Sequence, residues 1–112
     1  MTLQEIIAKL NLKVLTAPRD FSAIMPKGGY ASDLLSCVMA GAQPDNVWVT
    51  LQAHMNVVAV ASLREVAVVI ITEGAQPEAD VIAKANEQGV ILLSTSAPSY
   101  EVIGQLWEMG IQ

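Results

Sequence analysis

The sequence predicts an α/β fold, a small three-layer sandwich with a mainly parallel sheet of about four to five strands flanked by helices. Two apolar runs carry this prediction, residues 66–71 (VAVVII) and residues 90–94 (VILLS). Each run is too short for an ordinary helix and too continuous for a strand with one exposed face. Both are typical of strands buried on two faces, and amphipathic segments follow each of them, as in a parallel sheet connected by helices.

Length and composition indicate one ordered domain over residues 1–112. Hydrophobic residues make up 53% of the chain and charged residues 15%, a balance that excludes disorder. The core must be aliphatic because aromatic residues account for only 4%. A small domain this apolar leaves hydrophobic surface exposed. Burial of that surface between two copies predicts a homodimer. The net charge of −5 and the absence of a basic cluster argue against nucleic acid as a partner.

Cysteine usage and hydropathy predict a soluble cytoplasmic protein. The single cysteine, Cys37, excludes an internal disulfide and is expected to be buried and inert among apolar neighbours. The N-terminus lacks the basic region of a signal peptide. The longest apolar tract, residues 57–71, is broken by charges and is too short to cross a bilayer, so no membrane partner is expected.

The first 30 residues predict a short helix, a strand and a loop that ends in a turn. Thr2 and Glu5 have the spacing of a capping box, which starts a helix over residues 3–10. Residues 13–16 (KVLT) follow as a short strand. Prolines make residues 17–26 irregular, and residues 27–30 (KGGY) form a turn.

Next along the chain come a second helix and a central strand. Ser32 is positioned to cap a helix over residues 33–40, with Asp33 in its first turn, where a carboxylate complements the helix dipole. Residues 46–50 (NVWVT) form the next strand. Residues 57–63 are open to either assignment, since β-branched residues favour a strand while a parallel sheet requires a helix there. We favour a short buried helix over residues 54–62.

The last third repeats a strand and a helix twice. A strand over residues 66–72 precedes a helix with Pro77 in its first turn and Gly89 as its stop. A strand over residues 90–94 and a final helix with a wide apolar face complete the predicted order.

Polar and small residues collect where the predicted strands end. Because the carboxyl ends of parallel strands meet at one edge of the sheet, we expect a ligand site there. Small hydroxyls and backbone amides at helix N-termini suit an anion or a sugar hydroxyl. The alternative is that these are ordinary turn and cap residues. The predicted ligand-binding residues, with two glycines that let the backbone approach from the side, are Thr50, Gln52, His54, Thr72, Glu73, Gly74, Ser94, Thr95, Gly28 and Gly29.

No complete catalytic constellation is present, so no catalytic residue is assigned. His54, the single histidine, could act as a base only if the loop with Glu73 adjoins it, which leaves a small enzyme as a third hypothesis. The scattered carboxylates, one Cys and one His have no metal-ligand spacing. The KGGY segment lacks the spacing and the preceding strand of a phosphate loop. We therefore expect no cofactor and no metal.

Two stretches of the chain resemble the DRTGG domain family. Residues 72–77 (TEGAQP), the helix after them and residues 89–95 (GVILLST) are similar to its strand ending in T-x-G-x-x-P, its helix and its next strand. Residues 28–36 and 47–54 resemble short stand-alone members, so the likeness covers nearly all of the chain. It extends to the amino-terminal domain of HPr kinase/phosphorylase. The name-giving D-R-T-G-G itself is absent, and residues 51–55 (LQAHM) replace a charged loop of larger relatives.

The resemblance implies a regulatory module. Relatives are appended to CBS domains, to phosphotransacetylases and to the HPr kinase catalytic domain, whose phosphate loop has no counterpart here. It implies a non-catalytic, ligand-sensing domain that binds a small anionic or nucleotide-like metabolite and self-associates. The alternative is a protein-interaction subunit of a larger enzyme, docking through apolar surface around Trp48, Trp107 and Met109, although core packing would equally explain the two tryptophans.

Overall fold

A computed structural model describes residues 1–112. It contains a mixed five-stranded sheet, five α-helices and one 3₁₀ turn. In chain order the elements are α1 (Leu3–Leu10), β1 (Lys13–Val14), a 3₁₀ turn (Phe21–Ala23), β2 (Gly29–Ala31), α2 (Leu35–Gly41), β3 (Val47–Thr50), α3 (Met55–Arg64), β4 (Val68–Ile71), α4 (Ala79–Gln88), β5 (Leu92–Ser94) and α5 (Ser99–Glu108).

The strands lie in the order β1-β5-β4-β3-β2. Four of them are parallel, and β1 is antiparallel to β5 at one edge. This confirms the predicted α/β class with a mostly parallel sheet. Residues in β3 and β4 are buried throughout, as expected of strands covered on both faces.

Each face of the sheet carries its own apolar layer. Helices α2, α3 and α4 cover one face, where Trp48 is the largest fully buried side chain. Helices α1 and α5 cover the other, with Leu3, Ile6, Val102 and Leu106 packed against the sheet. The alternation of strand residues between the two layers places successive side chains in opposite cores.

Helices α1 and α3 form close to where they were predicted. The Thr2–Glu5 capping box is present, and it starts α1 at Leu3. The ambiguous segment 57–63 is helical and lies within α3, where four of its residues are buried. The demand for a crossover between parallel strands therefore outweighs the strand preference of its valines.

Residues 27–30 do not form the predicted turn. Gly28 has a positive φ of 68°, but Gly29 and Tyr30 enter the edge strand β2, which is parallel to β3. No hydrophobic run in the sequence indicates this strand. It is held because the Tyr30 ring packs on α2 at Gly41, where a Cβ would lie 2.5 Å from the ring.

Helix α2 begins two residues later than predicted and exposes more of its surface. Its N-cap is Leu34, and Asp33 lies outside the helix with its carboxylate turned toward β3. Pro77 similarly precedes its helix, whose N-cap is Glu78. Cys37 is exposed, so its predicted burial is wrong: in this short helix only Val38 is fully buried.

The two tryptophans differ. Trp48 is fully buried in the centre of β3, and its indole N–H donates to the Ser32 carbonyl at 3.0 Å. Trp107 is 60% exposed on α5, so the final helix buries only part of its apolar face. No helix has the length and apolarity needed to span a membrane.

Candidate functional site

The carboxyl ends of the parallel strands form one rim of the sheet. The register sets Thr50 beside Ile71, Ile71 beside Ser94, and Ser94 beside Lys13 of the antiparallel strand β1. Thr72 follows Ile71 directly. Sequence reasoning thus placed the ends of β3, β4 and β5 together correctly, and the structure adds Lys13, which the expected position of the first strand did not reveal.

On the α2 side of the rim, Asp33 is the central acceptor. Its carboxylate accepts hydrogen bonds from the Thr50 hydroxyl and the Leu51 backbone N–H, both at 2.8 Å. The Gln52 side-chain amide donates to the Asp33 carbonyl. Thr50 is only 1% exposed, so its hydroxyl needs this partner. Asp33 therefore fixes the loop after β3, a role that its expected place inside a helix concealed.

On the α5 side, Glu73 plays the corresponding part. Its carboxylate accepts the Ser99 backbone N–H at 2.7 Å, at the first residue of α5. The Thr72 and Ser99 hydroxyls also bond to each other. Glu73 has a φ of 63°, a left-handed conformation uncommon for a residue with a side chain. The Glu73 carboxylate thus occupies the place at a helix N-terminus where an anion would otherwise bind.

The loops after β4 and β5 are joined by backbone bonds. The Glu73 N–H donates to the Ala97 carbonyl and the Gly74 N–H to the Thr95 carbonyl. Thr95 also accepts the Ala97 N–H with its hydroxyl oxygen. Glu73, Gly74 and Thr95 are therefore neighbours, as the prediction required.

Ser94 differs from the other rim hydroxyls. It is 3% exposed, and no group of the chain hydrogen-bonds to its hydroxyl, whereas the Thr50 and Thr72 hydroxyls both have partners. Its neighbour in the register, Lys13, is exposed and outside the chain's one ion pair, Lys84–Glu87. A hydroxyl without a partner and a lysine outside any ion pair, on neighbouring strands, are groups that a phosphate or carboxylate would contact.

His54 does not meet Glu73 in a catalytic arrangement. It is the N-cap of α3, where its Nδ1 accepts the Asn56 N–H at 3.1 Å. The Glu73 carboxylate is bound to the opposite helix, α5. No hydrogen bond joins the two side chains, and no group of three metal-ligating residues is present.

Gly28 and Gly29 do not belong to this rim. Gly29 pairs with Val47, the first residue of β3, and therefore lies at the amino ends of the strands. The predicted approach of a ligand between the two glycines and the strand-end loops has no support in their positions.

A family comparison decides which group of proteins this is. The DRTGG domain matches residues 32–109, more than half of the chain. The chain belongs to the DRTGG domain family. The match begins just before Asp33 and includes every rim residue named above except Lys13. No curated protein sequence matches the chain.

A solved DRTGG structure has the same fold. It is the crystal structure of the CBS and DRTGG domains of the regulatory region of Clostridium perfringens pyrophosphatase, complexed with activator, diadenosine tetraphosphate. The TM-score is 0.76 at 13% sequence identity. The match covers 92% of this chain and 44% of that one, so the chain spans less than half the length of that structure. In that protein the DRTGG domain is part of a regulatory region rather than a catalytic one.

Proposed function

We propose that this DRTGG domain is a non-catalytic regulatory domain, formed by residues 1–112, that binds a small anionic or nucleotide-like metabolite at the rim. One observation carries the proposal. The Ser94 hydroxyl makes no hydrogen bond within the chain and reaches the surface of an otherwise buried residue, and Ser94 is the register neighbour of Lys13, which is in no ion pair, at the carboxyl edge of a parallel sheet. That edge is where open α/β sheets bind ligands. The choice of a nucleotide-like ligand is also supported by the pyrophosphatase regulatory region, whose structure contains a nucleotide activator.

The free groups of the rim indicate how the ligand is held. Lys13 and Ser94 contact its anionic part, and the Thr95 hydroxyl, whose oxygen already accepts an N–H, donates to it as well. His54 keeps Nε2 free for a hydroxyl or a base edge, since Nδ1 caps α3. The N-terminus of α5 is closed to the anion because Glu73 is already bound there. The ligand therefore lies on the β5 and β1 side of the rim.

Binding is tested by thermal unfolding and titration calorimetry with AMP, ATP, diadenosine tetraphosphate and inorganic phosphate. A probe at one hundred times its Kd stabilises the folded chain by about 2.7 kcal/mol and raises the unfolding midpoint accordingly. We expect Ser94→Ala to weaken binding about fivefold, the equivalent of one hydrogen bond. Lys13→Gln should weaken it about tenfold, because a charge-assisted bond is lost.

Matched substitutions away from the rim serve as controls. Lys9→Gln removes a charge from the exposed surface of α1, and Ser36→Ala removes an exposed hydroxyl from α2; both should leave the Kd unchanged. Failure of all four probes to shift the wild-type midpoint overturns metabolite binding. Binding that neither Ser94→Ala nor Lys13→Gln weakens would place the ligand elsewhere.

Self-association is the second part of the proposal, and it does not depend on the ligand. The alternative function, a protein-interaction subunit without a small-molecule ligand, is favoured by one observation: Trp107 is 60% exposed next to Ile103 on α5. The similarity to the HPr kinase/phosphorylase domain and the cytoplasmic location stay predictions from the sequence.

A further inference from the structure

We propose that two copies of this chain pair through β2, antiparallel about Tyr30, so that their sheets join into one of ten strands. The inference rests on the proposed self-association and gives it a geometry. It is independent of the rim ligand. Strand β2 lies at an edge of the sheet, with β3 on one side only.

The outer side of β2 presents a self-complementary set of backbone groups. The Gly28 carbonyl accepts the Val47 N–H, and the alternation of a parallel ladder then directs the N–H and C=O of Tyr30 toward β3 as well. The N–H and C=O of Gly29 and Ala31 therefore point away from the sheet. A two-fold axis at Tyr30 sets Gly29 opposite Ala31 of the partner subunit, and each such pair exchanges two hydrogen bonds.

Nothing in the sequence protects this edge. Sheet edges are normally guarded by charged side chains, by proline or by a bulge. Strand β2 reads Gly-Tyr-Ala, and Gly29 and Ala31 are both exposed. Both edge strands are short, but only β1 carries a charge, the exposed Lys13.

Apolar side chains next to β2 supply the surface that a dimer buries. A cavity of about 130 Å³ opens between β2 and α5, lined mostly by apolar groups. Among its lining residues, Ile103 is 37% exposed and Trp107 is 60% exposed. Since the two-fold axis stands perpendicular to the sheet, it sets the two α5 helices on the same face, and Trp107 of each copy faces the groove of the other.

Charge selects a second copy in the antiparallel orientation. Lys27 precedes β2 and Asp33 follows it, each three residues from Tyr30. Antiparallel pairing brings Lys27 near the exposed Asp33 of the partner subunit, whose Oδ1 is bound to Thr50 and Leu51 and whose second carboxylate oxygen has no partner in the chain, whereas parallel pairing would bring like charges together. The groove itself is lined by no charged side chain, so two copies of a chain with net charge −5 meet there without local repulsion.

The oligomeric state of the full chain tests the interface. Sedimentation velocity should give a dimer of twice the 11.9 kDa monomer mass. Ala31→Lys puts a charge on the seam and Trp107→Ser removes the apolar anchor; each should weaken the dimer about tenfold or more. Both positions are exposed, so thermal unfolding should show a folded chain. Leu63→Ser, at a residue 68% exposed on α3, is the matched control and should leave the dimer intact.

A distance measurement tests the orientation with the native cysteine. Cys37 is exposed, and its carbonyl accepts the Tyr30 hydroxyl at 3.1 Å, so it lies near the proposed axis. A spin label there should give one distance shorter than the 32 Å length of a single copy. A wild-type monomer overturns self-association altogether. A dimer that survives both Ala31→Lys and Trp107→Ser, or that gives a longer distance, overturns the β2 interface while self-association stands.

Discussion

Asp33 and Glu73 are carboxylates that each join two loops of the rim, one on the α2 side and one on the α5 side. Asp33 accepts a buried hydroxyl and a backbone N–H, both at 2.8 Å. Glu73 accepts one backbone N–H at 2.7 Å, from Ser99, and the backbone of Glu73 itself is left-handed. On the α2 side, Asp33 holds a buried hydroxyl in place. On the α5 side, the Thr72–Ser99 hydroxyl bond and backbone bonds already join the loops, and Glu73 adds one contact that carries a conformational cost.

This difference bears on how firmly each of the two carboxylates is held in the rim. Loss of the Asp33 contact would leave the buried Thr50 O–H without an acceptor, although the hydroxyl oxygen would still accept the Gln52 N–H. Loss of the Glu73 contact would leave only one backbone N–H, that of Ser99 at the start of α5, without its acceptor. Asp33 is thus held more firmly in the rim than Glu73.

The largest effect is expected from Asp33→Ala. The substitution removes the oxygen that accepts from both Thr50 and Leu51 and leaves the buried Thr50 O–H without an acceptor, which should lower the free energy of unfolding by about 2 kcal/mol. Urea denaturation followed by circular dichroism measures the change. Asp33→Asn keeps one acceptor oxygen and should lose less. A loss below about 0.5 kcal/mol for Asp33→Ala, the range of ordinary surface substitutions, would show that the two sides are equivalent.

A smaller effect is expected from a pair of substitutions at Glu73. Glu73→Ala removes the contact to Ser99 but keeps the left-handed backbone, and should destabilise the fold by about 1 kcal/mol. Glu73→Gly removes the same contact and also relieves a backbone cost of about 1 kcal/mol, so it should be nearly neutral.

Glu65 provides the matched control for the backbone term. It has a φ of 55° at the C-cap of α3 and lies away from the rim. Glu65→Gly should be more stable than Glu65→Ala by a similar amount. If the alanine and glycine variants at position 73 had equal stabilities, the left-handed backbone of Glu73 would carry no measurable conformational cost.

The smallest effect concerns Glu5, an exposed carboxylate that accepts a backbone N–H at the start of α1. The hydrogen bond from the Thr2 backbone, and then that from the Thr2 side chain, hold the pKa of Glu5 below its ordinary value of 4.5. A lowered pKa means that the ionised form stabilises the fold above about pH 4.5 and that this contribution is lost as the pH falls through the folded-state value. Glu5→Gln should therefore lower the urea midpoint slightly at pH 7, and by less as the pH falls through the folded-state pKa; a loss that does not change with pH would exclude a charge effect.

The parallel core could be predicted from the sequence because each buried strand contains an apolar run. Residues 66–71 and 90–94 include β4 and β5, and the position of Thr50 after its strand followed from the same pattern. For residues 57–63 the sequence left helix and strand both open, and the need for a parallel crossover favoured the helix that the structure shows.

The edges of the sheet could not be predicted in the same way. Strand β2 has two small residues and no apolar run, so Gly29 and the preceding Gly28 indicated a turn. The antiparallel direction of β1, which brings Lys13 to Ser94, depends on pairing 81 residues apart in the register and has no local signal. Asp33 had the position of a helix-start carboxylate, and only the tertiary structure shows that it binds Thr50 instead.

Both outer strands come from the first 31 residues, ahead of the segment that matches the family. A fragment that begins at residue 32 would lack Leu3 and Ile6, which pack beneath the sheet. It would also lack β1 and β2, so the outer edges of β5 and β3 would both be exposed. Such a fragment should precipitate on expression, so the family boundary is a poor guide to where this domain can be trimmed.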